Sequence, residues 1–532
     1  MGAKDTFLKQ YITNFSMKIT LISTSTTTSD QGLRTISSNL KKQGNEVKIL
    51  FLPLGTDDYN KLYSKNVVEE IKKETKNSEL IGINAMASTS KRAEQLIKIL
   101  KENKLVVYGG HHPTFFPERC FKIADIVVRG EAEEAFLELV NNLKNKKDIT
   151  KIKNLYVRKD NKEYRNEVRP YNQNLDDLEK PDYDIEDHKI LENNKLIPFQ
   201  ERHFNGVIFF QTARGCPHAC SYCTNTIMRE LYKGKGKCLR SHSVDYVITE
   251  LKRLKNKFKT IGVFDIRDET FTVRELNWIK EFSKRYKNEV GIRFKCLADP
   301  ATMGTGKEAI NEEKIKLLVE AGLRDIIIGI QSGSDRINFD VYNRYIKSEE
   351  LLKCSKVVNK FKELNVMYDI MTSNPYETKE DLIQTIKLIM EIPPPYYLSV
   401  NNLIFFEGTP LYKKAKEDGI IKEEKDSAST LNYWDRWAHI KLKKKNQYLT
   451  LVLNLMRGTA NKNRIGMFSR STLKRLIEDD FVNFNYKHLG LTNTFGTFVS
   501  LMDFTREHVM KPIYHSTPTK FKVWYDKRRY KA

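Results

Sequence analysis

The chain has 532 residues, 40% of them hydrophobic and 11% aromatic, ample for several buried cores and too apolar for a disordered protein. Its formal net charge of +23 comes from Lys and Arg spread along every segment, which reads as a solvated surface rather than a nucleic-acid-binding patch. Neither an apolar run of about 18 residues nor an apolar signal region is present, so no membrane span and no export are predicted and the expected location is the cytoplasm.

From Met17 the pattern alternates strand and helix. KITLIS precedes a helix with Leu33, Ile36 and Leu40 on one face and Gly44 as its C-cap, and VKILFL follows. ELIGIN, a helix using Ala93, Ile97 and Leu100, KLVVYGG, ADIVVRG and a helix from about Glu131 continue the series. Short continuous apolar strands separated by amphipathic helices predict a parallel sheet covered on both faces, so residues 17–145 form a doubly wound, Rossmann-like domain. Ligands of such sheets sit beyond the C-terminal strand ends, here Ser23 to Asp30, Ala87 to Ser90, Gly109 to Thr114 and Arg129 to Glu131.

Residues 146–205 are polar and Pro-punctuated (DLEKPDYD) and read as a linker. A second alternation begins at Gly206, with strands GVIFFQTA, TIGVFD, IRFKCL, DIIIGI, VMYDIM and LSVNNLIFF, which predicts a partial (β/α)6 barrel over 206–415. Residues 416–532 form a mainly helical C-terminal region, in which YLTLVLNLM is a buried helix and Trp434, Trp437, Phe495 and Trp524 supply a cap over the barrel.

Three of the seven cysteines, Cys216, Cys220 and Cys223, lie within RGCPHACSYCTN directly after the first barrel strand. Three thiolates there suit a metal centre in a reducing compartment, and Cys120, Cys238, Cys296 and Cys354 read as packing. A zinc site would need a fourth ligand, with His218 and Cys238 as candidates. A 4Fe-4S cluster on three cysteines would leave one iron open.

The CxxxCxxC spacing with Tyr222 before the last Cys resembles the radical S-adenosylmethionine superfamily, and CLRSHSVDYVITEL, RDETF, NPYET and EGTPLY are similar to its later barrel signatures. The resemblance implies that Cys216, Cys220 and Cys223 hold a 4Fe-4S cluster, that S-adenosylmethionine chelates the open iron, and that Tyr222, Asp268, Glu269, Gln331 and Ser332 contact this cofactor. The sequence departs from the pattern at Gln331, where relatives more often have Glu, and at Leu297, where several have Arg.

GGHHPTFFPE and VVRGEAEEAF resemble signatures of the cobalamin (B12)-binding domain fused ahead of many such enzymes, so the likeness covers roughly 17–415. It implies cobalamin, with Ser88, Thr89, Gly109, Gly110, Thr114, Gly130 and Glu131 around its nucleotide tail. The loop TTTSDQGLR lacks the His of the Asp-x-His-x-x-Gly signature, so His ligation of cobalt from below is not expected, and His111 and His112 read as loop packing. The implied activity is that of a class B methyltransferase acting at an unreactive carbon of a small-molecule, lipid or peptide substrate, with a low-potential electron donor such as ferredoxin or flavodoxin. The alternatives are radical cyclisation or carbon-carbon bond formation, an RNA methylthiotransferase, for which the N-terminal domain lacks the extra cysteines, and an iron-sulfur carrier.

Overall fold

In the computed structural model, residues 16–54, 61–300, 312–422 and 444–487 are described. The N-terminal sheet contains β1 (Lys18–Ser23), β2 (Glu46–Phe51), β3 (Leu80–Asn84), β4 (Leu105–Gly109) and β5 (Ile126–Val128). It also contains β6 (Leu155–Lys159), β7 (Lys162–Arg165), β8 (Lys189–Glu192) and β9 (Lys195–Pro198), in the order β7-β6-β5-β4-β3-β1-β2-β8-β9. Leu21, Ile22, Leu80 and Ile81 are buried because helices cover both faces, as the unbroken apolar strands require. Helix Gln31–Lys42 begins where Asp30 accepts from the Leu33 backbone N–H (3.3 Å), and it buries Leu33, Ile36 and Leu40. It ends at Gln43 rather than at Gly44, which follows with φ 76° as the left-handed residue that turns the chain away.

Residues 146–205 are more than a linker. They add the antiparallel hairpin β6–β7 to one sheet edge and the hairpin β8–β9, through a parallel β2–β8 pairing, to the other. The two-residue turns Asp160-Asn161 and Asn193-Asn194 have φ between 50° and 62° at all four positions, the left-handed pair that tight hairpins need. Between the hairpins, the PDYD stretch is fastened to the first helix. The fully buried Arg34 donates to the Asp182 carbonyl (2.7 Å) and lies over the Tyr183 ring, and Ser37 donates to the Asp182 carboxylate (2.6 Å).

The second sheet starts with β10 (Val207–Phe210). Beyond the short ladder of β11 (Ala213–Arg214) and β12 (Arg240–Ser241) come β13 (Val263–Ile266), β14 (Phe294–Ala298), β15 (Leu323–Gln331), β16 (Asn365–Thr372) and β17 (Tyr396–Asn402). β10 and β13 to β17 are six parallel neighbours, an open barrel. The short antiparallel strands β18 (Gly458–Ala460), β19 (Arg464–Ile465) and β20 (Phe468–Ser469) extend its last edge. YLTLVLNLM lies in helix Lys444–Met456 and buries Leu449, Leu453 and Met456. Trp434, Trp437, Phe495 and Trp524 lie outside the described residues, and no helix of the described residues is long and apolar enough to cross a membrane.

Candidate functional site between the two sheets

The central strand order β5-β4-β3-β1-β2 reverses direction between β1 and β3, and ligands of doubly wound sheets bind in the crevice at that point. A cavity of about 390 Å³ opens there. Ser25, Asp30 and Asn84 line it from the switch-point loops, Gly109, Gly110, His111 and Thr114 from the end of β4, and Gly130 and Glu131 from the end of β5. The barrel closes it with Phe209, Arg214, Gly215, Cys238, Arg240, Arg267 and Glu269. A more open depression around Lys41, Asp177 and Arg253 contains none of these residues.

The glycines here are conformationally required. Gly110 has φ 104°, and a Cβ on it would lie 2.0 Å from Asn84 Oδ1 and 2.7 Å from the Ala85 carbonyl. Backbone oxygen cannot retreat as a side chain can, so Gly110→Ala is expected to cost about 1–3 kcal/mol and to distort the rim of the cavity. A lowered melting temperature together with weakened cobalamin retention on gel filtration would check this.

The cysteine loop is held from three directions. Asp268, almost fully buried, accepts from Thr212 N (2.7 Å), Thr212 Oγ1 (2.6 Å) and Ala213 N (2.9 Å) and pairs with Arg274 (2.9 Å), which fixes the chain entering the loop. Ser221 N donates to the Tyr342 carbonyl (2.8 Å), and its own carbonyl accepts from Leu411 N (2.9 Å), so EGTPLY braces the loop from behind. Tyr222 packs edge-on against Tyr342, with ring centroids 4.9 Å apart. Beside Cys220 lies Arg344, fully enclosed, which donates to Asp299 (2.7 Å), itself paired with His218 (3.2 Å). Arg344 escaped the sequence reading because it lies far along the chain from the cysteines.

Cys216 lies within electrostatic reach of Cys223 and Cys220, and burial pushes the thiols of Cys216 and Cys223 up to about 12 and about 11. Burial likewise raises Cys220. Among the described residues no three Cys, His, Asp or Glu side chains gather closely enough to hold a single metal ion. A cubane cluster does not ask for that, since each thiolate takes a different iron, so three soft donors spread over one short loop fit it.

The remaining candidates separate. Asp268 accepts from Thr212 and Ala213 and pairs with Arg274, so its carboxylate is engaged within the protein. Glu269 faces the cavity without an ion-pair partner among the described residues, and desolvation raises its carboxyl. Ser332 is buried against Thr385 and Ser334, while Gln331 ends β15 at a bulge with φ 67°. Thr89 is buried and bonded to Thr24, and Ser88 is half-buried outside the cavity wall. Thr114 accepts from Gly130 N (3.0 Å) and ties the two glycine loops together.

His112 is the packing residue expected, wedged between Tyr108 and Phe116, where burial lowers it to about 4. His111 instead lies on the cavity wall, as does Cys238. The loop 24–30 brings Ser25, Ser29 and Asp30 to the cavity and no imidazole.

Glu131 does not wait free for a ligand. Its carboxylate pairs with both terminal nitrogens of Arg240 (2.6 and 3.0 Å), and Arg214 lies 3.6 Å away and binds Glu133 at 2.6 Å. Burial alone would raise Glu133, but Arg214 holds it below the ordinary carboxylate range. Arg240 also lies over the Tyr171 ring, which stacks on Tyr232, whose hydroxyl accepts from Glu131 N (2.8 Å). Arg214 is two residues before Cys216, so this clasp joins the β5 loop directly to the cysteine loop.

Residues 17–140 match the B12 binding domain family and residues 210–389 the Radical SAM superfamily. An uncharacterized methyltransferase of Pyrococcus horikoshii is 32% identical over 327 residues, covering 60% of this chain and 65% of that protein. Cytidylyl-2-hydroxyethylphosphonate methyltransferase of Streptomyces wedmorensis is 26% identical, over 58% of this chain and 62% of that protein. The chain thus spans less than two thirds of the length of these two relatives. Among solved structures, the cobalamin-dependent S-adenosylmethionine radical enzyme OxsB superposes with a TM-score of 0.65 at 16% identity, over 92% of this chain and 75% of that one.

Proposed function

We propose, given that the chain belongs to the radical S-adenosylmethionine enzymes that carry a B12-binding domain, that it transfers a methyl group to an unreactive carbon. The observation that carries this reading is the clasp of Arg214 and Arg240 on Glu131 and Glu133, which sets the cysteine loop and the switch-point cavity side by side. On this reading Cys216, Cys220 and Cys223 would hold a 4Fe-4S cluster, and the glycine loops at 109–110 and 130 would admit cobalamin to the cavity. When bound, these groups supply an electron that splits S-adenosylmethionine into a radical and a carrier for the methyl group.

The protein's own contribution is placement and exclusion of water. Glu269, under-compensated on the cavity wall, offers its carboxylate to the methionyl ammonium. Asp268 and Arg274 keep the loop entry rigid, and Tyr222 and Arg344 shield Cys220. A low-potential one-electron donor of the ferredoxin or flavodoxin type would provide the electron.

Reconstituted anaerobically with a reductant and substrate, the protein should form 5'-deoxyadenosine and S-adenosylhomocysteine together. Formation of neither refutes the reading, and 5'-deoxyadenosine with an unmethylated product would move it to cyclisation. Glu269→Gln should raise the KM for S-adenosylmethionine by about tenfold or more, the worth of a charge-assisted hydrogen bond, in a 5'-deoxyadenosine assay.

A further inference from the structure

The cysteine loop also reaches the protein surface, at Pro217, which is exposed. Two exposed side chains from other elements hold the loop backbone there. Arg229 donates to the Pro217 carbonyl (3.1 Å) and, more loosely, to that of Cys216 (3.4 Å). Asn343 donates to the Ala219 carbonyl (2.8 Å) and accepts from the Tyr345 hydroxyl (2.9 Å). Tyr345 is 71% exposed, an aromatic ring left in water beside Phe339. None of Pro217, Arg229, Asn343 and Tyr345 lines the cavity between the sheets, so a partner seated on them lies one residue from Cys216 without entering it.

The same surface is locally basic. Helix Asn225–Leu231 carries Arg229, and the turn after it carries Lys233, Lys235 and Lys237. Lys233 N donates to the Glu230 carbonyl (3.2 Å) and Lys235 N to that of Tyr232 (2.9 Å), so the turn folds back on the helix end. Residues 229–237 hold four cations against one carboxylate, Glu230, whereas the whole chain holds 91 against 68, so this stretch exceeds the general excess of Lys. Lys235 pairs with Glu167 (3.1 Å), but Arg229, Lys233 and Lys237 are exposed and have no ion pair among the described residues. Arg229 and Lys233 stand one helical turn apart, where like charges repel, and an acidic partner would relieve that repulsion.

We infer that the surface around Pro217, bounded by Arg229, Lys233, Lys237 and Tyr345, docks an acidic one-electron carrier protein that reduces the cluster. The inference rests on the cluster reading above and adds the face at which its electron enters. The carrier gives up one electron and leaves oxidised by one, and no bond forms or breaks. The cations steer a negatively charged carrier to this face. Tyr345 supplies the kind of aromatic anchor on which interfaces concentrate their binding energy. Nearness to a cysteine ligand is what an electron carrier requires, and a polyanion held for its charge alone does not.

Flavodoxin hydroquinone is the probe, and photoreduced methyl viologen, a small cation, is the control reductant. In stopped-flow measurements of cluster bleaching on the reconstituted protein, Lys233→Glu combined with Lys237→Glu should slow reduction by flavodoxin about tenfold or more and flatten its dependence on ionic strength. Reduction by viologen should not slow. Lys98→Glu combined with Lys122→Glu, exposed positions on the N-terminal domain, changes the net charge equally and should leave the flavodoxin rate within about twofold. Tyr345→Ser should raise the flavodoxin concentration for half-maximal rate by about fivefold or more. Equal slowing by the two pairs of reversals, slowing with viologen as well, or an unchanged flavodoxin rate overturns the inference. Cluster bleaching and 5'-deoxyadenosine formation driven by viologen uphold the radical reading whichever way the carrier result falls. Bleaching by neither reductant sinks both.

Discussion

Cys220→Ala is expected to abolish the iron-sulfur absorbance of the reconstituted protein while leaving its cobalamin content unchanged. The cysteine lies on a loop braced by Asp268 on one side and by the Tyr342 and Leu411 backbones on the other, so loss of its thiol removes a ligand without releasing the loop. Changes in groups behind metal ligands already cost about 10–100-fold, so loss of a ligand itself should reduce 5'-deoxyadenosine formation by more than about 100-fold. Cys120→Ala is the matched control, because Cys120 is fully buried in the N-terminal core, away from the loop, and its loss costs only packing. Loss of cobalamin together with the cluster in Cys220→Ala would mean that the loop mainly supports the fold.

Arg240→Met is expected to have the second-largest effect, and to act across the two domains. Its guanidinium is 4% exposed and pairs with Glu131, which is 20% exposed. Replacing it leaves a largely enclosed carboxylate without its bidentate partner, and breaking such a pair costs about 3–5 kcal/mol. Arg214, 3.6 Å from Glu131, recovers part of that. The melting temperature should fall by several degrees, and cobalamin affinity by about tenfold, because the β5 loop then keeps only its Arg214 contacts to the cysteine loop. Glu131→Gln combined with Arg240→Met in a double-mutant cycle should show a coupling of about 1–3 kcal/mol. Additive effects would show that the two domains are held by other contacts.

The cysteine spacing, the glycine loops and the alternation of strand and helix were legible because each is a local pattern. The hairpins β6–β7 and β8–β9 were overlooked although their signal was present: Asp160-Asn161 and Asn193-Asn194 are the residue types that accept two consecutive left-handed conformations. The last barrel strand also shows its exposure in the sequence: Ser399 and Asn401 alternate with the buried Leu398 and Val400, the mark of a strand with one open face.

The sequence by itself determined which residues can do chemistry and roughly where the strands end, because metal-ligand spacing, turn glycines and hydrophobic period depend only on neighbours along the chain. Only the tertiary structure decided which of those residues are free to act. Asp268 and Glu269 are adjacent in sequence, yet the first is consumed by Arg274 and two backbone N–H groups while the second faces the cavity. Glu131, expected to meet a ligand, is claimed by an arginine 109 residues further along the chain. Partners so distant meet only through packing, and whether a carboxylate already has its hydrogen bonds is settled there.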